Sequence, residues 1–224
     1  MKIRKHVSTE WRLLIRTGKS LLTVVAVMAL MIVLTGCASF GHQFNYQAAA
    51  GLELGQTRIS EYKQIFGREP ESSGAFKTTG GIVTVTGYSY SSANAGTVRV
   101  RRLVLEFKNG LLNAYNYASS FEDNKTELPS DQINRIQKGV STKTDVLSVL
   151  GKPHGQGNCP SFIFKFPCRD GKEVWKWGAA AQMNTFAAAA GAHPQSKNVF
   201  VSFGADDIVT KVLVVEGDRA VFLW

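Results

Sequence analysis

The chain contains three patterns of apolar and polar residues. A polar, basic stretch at the N-terminus is followed by an apolar run, Leu21–Leu34, which only Thr23 interrupts. After about residue 50, short segments with apolar residues at helical spacing are followed by segments rich in β-branched and aromatic residues. This order of a helix and then strands occurs twice, which predicts a protein that mixes helix and sheet.

An internal repeat underlies this order, because residues 55–67 align without gaps on residues 139–151. Each copy contains a glycine, a hydroxyl residue two positions later, an acidic residue, apolar positions at helical spacing and a second glycine. In the second copy, Thr142 and Asp145 have the spacing of a capping box, and a glycine and a proline end the predicted helix. The first copy is weaker, since Arg58 replaces the capping threonine.

Three strands are predicted after each helix. Residues rich in β-branched and aromatic types are 81–90, 97–107 and 111–117 in the first copy and 173–178, 198–203 and 208–215 in the second. Asn109-Gly110 is a strong signal for a tight turn between two of these strands. The sequence therefore predicts an α+β fold of two tandem repeats, each a short helix (or helix pair) packed on a three-stranded antiparallel β-meander.

The two copies differ most in the loop between their first and second strands. This loop is short in the first copy, whereas in the second it spans residues 179–197 and is rich in alanine and glycine. Long loops in small domains are either disordered or functional. The loop is therefore either a flexible insertion or a mobile contact arm.

The N-terminal pattern predicts an export signal. Six Lys and Arg residues precede the apolar run, which is shorter than the roughly 20 residues of a membrane-spanning helix, the alternative interpretation. Leu34-Thr-Gly-Cys37 then resembles a bacterial lipobox. The resemblance implies a signal peptide over residues 1–36, diacylglycerol on Cys37 and a fatty acyl chain such as palmitate on the new amino terminus. With Ala38 next, it also implies an outer-membrane lipoprotein on the periplasmic face.

Composition and charge describe a globular protein with a mildly basic surface. Hydrophobic residues make up 44% and charged residues 19% of the chain, and the formal net charge is +9. The segment before Cys37 accounts for much of that charge, and the mature part keeps 20 basic and 16 acidic residues, or +4. No block of Lys and Arg interleaved with aromatic residues follows Cys37, so nucleic acid is not an expected partner.

The three cysteines fit an exported protein. If Cys37 carries lipid, Cys159 and Cys168 remain as an even pair in an oxidising compartment, which predicts a disulfide. Closing so short a loop should contribute about 2.5–3 kcal/mol to stability. The alternative, a metal-binding pair, lacks other ligands at a useful spacing.

Residues 133–153 resemble the opening signature of the SmpA/OmlA, or BamE-like, outer-membrane lipoprotein family. Trp175-x-Trp177 and the strand that ends at Phe203 match the rest of that pattern, and the first copy matches it loosely. The family implies a helix pair followed by a three-stranded sheet, and the tandem arrangement resembles β-lactamase-inhibitor-protein-like folds. The expected organisation is a lipidated N-terminus and linker over 37–50, one repeat over 51–122 and a second over 127–224.

No constellation of residues predicts catalysis. Gly87-Tyr-Ser-Tyr-Ser91 lacks the last glycine of a nucleophile elbow, and no phosphate loop, HExxH motif or calcium loop is present. His154 follows the predicted helix end and is interpreted as a solvent-facing turn residue. We therefore expect no enzyme activity, no catalytic residue, no cofactor, no metal and no small-molecule substrate.

The predicted function is that of a non-catalytic, lipid-anchored periplasmic protein. It would contact membrane lipid through Cys37, bind other envelope proteins and support outer-membrane organisation or assembly. The alternative is a protein inhibitor or ligand-binding module that uses the surface between the two repeats.

Overall fold

The computed structural model arranges eleven β-strands in one sheet. It describes residues 38–94, 96–128, 131–164, 168, 171–180, 183–184, 197–216 and 219–222. The predicted signal peptide, Cys37 and most of the loop of residues 179–197 lie outside the described residues. No helix in the described part of the chain is both long and apolar enough to cross a membrane.

Nine strands follow one another across the sheet in the order β1-β3-β4-β5-β6-β7-β9-β10-β11, while β2 pairs with β3 and β8 pairs with β4. The strands are β1 (Ala38–Gly41), β2 (Ser72–Thr78), β3 (Gly81–Asn94), β4 (Thr97–Lys108), β5 (Leu111–Ser119), β6 (Gly155–Asn158), β7 (Glu173–Gly178), β8 (Met183–Asn184), β9 (Lys197–Phe203), β10 (Val209–Glu216) and β11 (Arg219–Phe222). The pairing from β3 to β11 is antiparallel throughout.

The described helices are short. They are α1 (Tyr62–Phe66), α2 (Lys143–Leu150) and the 3-10 segments Tyr46–Gly51, Ile59–Glu61 and Ile133–Arg135. The predicted capping box of α2 is confirmed, because the Asp145 amide donates to Thr142 Oγ1 at 3.3 Å and the Thr142 amide donates to Asp145 Oδ2 at 2.8 Å.

Lys143, in the first turn of α2, fixes the helix on the sheet. Its Nζ lies 2.6 Å from Glu173 Oε2 on β7 and 2.7 Å from Asp207 Oδ1 in the turn before β10. These two carboxylates raise the pKa of Lys143 although partial burial opposes them. One ammonium thus joins α2 to two neighbouring parts of the sheet.

The predicted fold class is wrong. The structure is mostly β, with one continuous antiparallel sheet in place of two separate helix-on-meander units. The helices have five and eight residues, whereas β3 has 14 and β4 has 12. Helices this short cover only part of strands this long, so pairing and packing within the sheet dominate the architecture.

Strand β6 makes the sheet continuous. Gly155–Asn158 pairs with β5 through Ala114–Asn116 and with β7 through Glu173–Lys176. The pattern Gly-Gln-Gly-Asn has low β-propensity, which explains why the sequence did not predict this strand. Tertiary packing, described below, is what holds it.

The sheet has two different faces. The helical face, which carries α1 and α2, contains two clusters of buried side chains, one around Phe66, Tyr88 and Phe107 and one around Leu150 and Trp177. Because Tyr115, Gln156 and Trp175 are register partners, both clusters lie on the same side of the sheet. We call the opposite side, to which Val83, Glu106, Ala114 and Val174 point, the open face.

Candidate functional site

A buried carboxylate organises the open face. Glu106 on β4 is only 1% exposed. Its Oε2 accepts hydrogen bonds from Ser161 Oγ at 2.7 Å, Phe162 N at 2.7 Å and Ile163 N at 3.0 Å. A buried charge is tolerated when several donors satisfy it, and here a loop after β6 supplies them. Glu106 therefore fastens that loop, residues 159–164, to the sheet.

Asn113 donates a hydrogen bond to the other carboxylate oxygen of Glu106. The β4–β5 register shifts between Glu106 and Phe107, so Asn113 is an extra residue on β5. Such a bulge redirects a side chain. Asn113 Nδ2 lies 2.8 Å from Glu106 Oε1 and 3.2 Å from the carbonyl oxygens of Asn158 and Pro160. The bulge thus adds a second connection between sheet and loop.

The same loop is closed by a disulfide. Cys159 and Cys168 are bonded, with their Cα atoms 5.2 Å apart. Beneath the loop, Phe164 packs with Ala114 and Val174. A Cβ on Gly157 would lie 2.7 Å from Phe164 Cδ2, so the absence of a side chain at Gly157 leaves room for the Phe164 ring. We call residues 159–168 the disulfide loop; its described residues, 159–164 and 168, form a fixed part of the open face.

An apolar cleft lies between the disulfide loop and the edge of the sheet. This loop cleft has a volume of about 360 Å³ and is lined by Thr78, Thr79, Gly80, Val83, Glu106, Lys108, Pro160, Ser161 and Phe162. Phe162 stacks on Phe76 of β2, with ring centroids 5.7 Å apart. Both rings are about half exposed, at 52% and 50%. Two large aromatic rings at the rim of a cleft are typical of a binding surface.

Basic residues lie further along the open face. Arg102 on β4 is exposed and lines a second groove of about 360 Å³ between β2, β3 and β4, which we call the arginine groove. Lys176 on β7 is partly buried, and its Nζ donates to Asn116 Oδ1 at 2.8 Å. Burial lowers the pKa of Lys176 to about 8, and the positive charge of Arg102 adds to this effect.

His154 differs from its predicted role as a solvent-facing turn residue. It is partly buried, and the Gly178 amide donates to its Nδ1 at 3.2 Å. Burial, with the charge of Lys176, lowers the pKa of His154 to about 4. His154 is therefore neutral at pH 7 and joins the start of β6 to the end of β7.

Another cleft, of about 580 Å³, lies along the linker between the repeats. Its lining is largely polar: Glu122, Asp123, Asn124, Lys125, Glu127, Leu128, Leu150 and His154. Nearby, Arg101 is buried between the rings of Tyr46 and Phe121 and lies 3.1 Å from Asp123 Oδ2. The alternative function, an inhibitor or ligand-binding module acting between the repeats, would use this linker cleft and stays a prediction.

Of the predicted site residues, the structure places two. Cys159 and Cys168 are brought together, whereas Cys37 lies outside the described residues. Glu106 and Asn113 were not predicted. The sequence signal that could have indicated a role for Glu106 is that it is a single acid among the apolar residues at the end of β4. Within the described ranges, no group of three or more His, Cys, Asp or Glu side chains is placed to hold a metal ion.

Comparisons of the chain with protein-family models, with curated proteins and with solved structures give no match.

Proposed function

We propose that the mature chain is a lipid-anchored protein of the periplasmic face of the outer membrane. It binds another envelope protein through the open face and acts without catalysis, supporting outer-membrane organisation or assembly. The observation that carries the proposal is the stacked, half-exposed pair Phe76 and Phe162 at the loop cleft.

Two features of the open face support binding to a protein. The loop cleft offers an apolar surface that a partner side chain can fill, and exposed aromatic rings contribute strongly to protein interfaces. Glu106 and the disulfide hold Phe162 in place before any partner arrives. A preformed surface loses little conformational entropy on binding.

The anchor is tested by replacing Cys37 with serine. The variant is expected to remain as a larger, unlipidated precursor that no longer fractionates with the outer membrane. Each buried CH₂ of an acyl chain contributes about 0.8 kcal/mol, so several chains make the attachment effectively permanent. Immunoblots of membrane fractions give the readout, with Ser39→Ala as the matched control. Unchanged mobility and membrane retention of Cys37→Ser would contradict the anchor.

The binding surface is tested by photocrosslinking in intact cells. The photoreactive residue p-benzoylphenylalanine is placed at Phe76, at Phe162 or, as a control, at the exposed Gln64 of α1. We expect a discrete protein adduct from the two open-face positions and none from Gln64. We also expect the adduct from Phe76 to weaken when Phe162 is changed to serine. Adducts from Gln64 alone would place the contact on the helical face and refute the proposal.

A further inference from the structure

Strand β2 lies at an edge of the sheet. Among the described strands it pairs only with β3, and it runs for seven residues without a shift in register. It contains no proline and only one charged residue, Lys77. Edge strands that resist pairing with other chains are usually short, bulged, charged or interrupted by proline. β2 therefore has the features of a strand that can accept another strand beside it.

The hydrogen bonds of β3 show which of its residues bond to β2. The Ile82 amide donates to Asn109 Oδ1 at 3.0 Å, and the Ile82 carbonyl oxygen accepts from the Asn109 amide at 2.8 Å. Asn109 directly follows β4, so Ile82 forms its hydrogen bonds on the β4 side of β3. Successive residues of a strand bond to opposite neighbours. Val83 and Val85 therefore form their hydrogen bonds on the β2 side.

The register then identifies the backbone groups of β2 that face outward. The β2 residues opposite those two valines are Phe76 and Gly74, which therefore bond inward. Ser73, Ala75 and Lys77 lie at the intervening positions and direct their N–H and C=O groups away from the sheet. No hydrogen bond from another described segment reaches these three donors and three acceptors. An extended backbone carries the matching row of acceptors and donors.

An aromatic surface lies at the same edge. The Phe76 ring lies along β2 toward Gly74, where an added Cβ would be 3.5 Å from Phe76 Cζ. Phe162 of the disulfide loop stacks on this ring, and both rings are about half exposed. A strand added about 4.7–4.9 Å from β2 would place every second side chain on the open face, beside this stack. An apolar side chain at that position would cover exposed ring surface.

A second copy of this chain fits the edge less well than a different segment does. In the antiparallel pairing that joins all three outward residues of two copies, Ala75 faces Ala75 and Gly74 faces Phe76. The position directly opposite the Phe76 ring would then be a glycine, which offers no apolar side chain to pack on it.

We infer that the outer edge of β2 takes up an extended segment of the partner protein as a further strand of the sheet. The segment forms backbone hydrogen bonds with Ser73, Ala75 and Lys77 and packs an apolar side chain on the stack of Phe76 and Phe162. The inference rests on the proposed function, because it names the kind of segment by which the partner binds.

The first experiment uses the full chain in intact cells, with p-benzoylphenylalanine at Phe76 or at Lys77. These neighbouring side chains point to opposite faces of the sheet, and Lys77 is exposed. We expect both positions to capture one segment of one envelope protein, at residues an odd number of positions apart, as mass spectrometry of the adducts would show. The same photoreactive residue at the exposed Lys138, outside the sheet, is the control and should give no such adduct.

The second experiment removes an outward donor from β2. Ala75→Pro should lower the adduct yield from Phe162 about tenfold or more, because it removes one hydrogen bond and places a ring in the path of the added strand. Ala75→Thr keeps the donor and should keep the yield. Proline is tolerated at an edge position whose N–H faces outward, so Ala75→Pro should melt close to the natural protein. Ser73→Pro, at another outward position, repeats the test.

Three results would overturn the inference. They are an unchanged yield in both proline variants, adducts from Phe76 without any from Lys77, and a Lys77 adduct with β2 of a second copy. The map from Lys77 requires neither proline variant, so it decides the matter even if both variants fold poorly. In all three cases the adduct of Phe162 with an envelope protein would persist, and the proposed function would stand. Absence of envelope-protein adducts from both Phe76 and Phe162 in the otherwise natural chain would refute the proposed function itself.

Discussion

Phe66→Ala and Leu150→Ala are each expected to lower the free energy of unfolding by about 2–5 kcal/mol. Phe66 is 1% exposed and contacts Phe44 and Tyr88, with ring centroids 6.4 and 5.0 Å away. Leu150 is 5% exposed and belongs to the cluster around Trp177. Each truncation leaves a cavity in one of the two clusters of the helical face, against a total stability of about 5–15 kcal/mol.

Chemical denaturation of the soluble protein that begins after Cys37 gives these values. Because β6 joins both halves in one sheet, we expect each variant to shift a single transition that fluorescence and circular dichroism report together. Gln64→Ala, at an exposed position of α1, is the control. A silent Phe66→Ala beside a strongly destabilised Leu150→Ala would show that the first repeat does not fold as described.

Glu106→Gln is expected to destabilise the protein by about 3 kcal/mol, although it changes only one atom of a buried side chain. Glutamine replaces one carboxylate oxygen with an NH₂ group, which must face either the donors of Ser161, Phe162 and Ile163 or the donating amide of Asn113. A buried donor left without a partner costs about 1–3 kcal/mol. The disulfide loop should also exchange its amide hydrogens faster, since Glu106 fastens it to the sheet.

Hydrogen exchange of residues 159–164, together with thermal melting, measures both effects. Glu53→Gln, at an exposed position outside the strands, provides the matched control. Protection of the Phe162 and Ile163 amides that survives Glu106→Gln would mean that the carboxylate does not hold the loop. The adduct from Phe162 should weaken in the same variant, because the ring loses its fixed position.

Local signals predicted much of the secondary structure. The capping box placed α2, and the Asn109-Gly110 turn is confirmed, with φ angles of 52° and 82°. Residues of high β-propensity predicted segments within β3, β4 and β5 and within β7, β9 and β10. These features depend on a few neighbouring residues, which a single sequence displays.

What the sequence did not predict depends on contacts between distant residues. β6 pairs because Phe164 packs over Gly157, and nothing in Gly-Gln-Gly-Asn indicates that contact. The role of Glu106 depends on donors 55 to 57 positions away. Without these contacts, two repeats with loops between them were the simplest interpretation. The disulfide could be predicted from the sequence because counting cysteines requires no knowledge of the fold.

The position of β1 limits how far from the membrane a protein with lipid on Cys37 could reach a partner. β1 begins at Ala38, the residue directly after Cys37. Adjacent Cα atoms are about 3.8 Å apart, so a lipid on Cys37 would hold the sheet edge almost against the bilayer. A flexible tether of n residues would instead let the body range over about 5–6 Å × √n. A protein held this way searches in two dimensions and meets only partners that come to the membrane surface themselves.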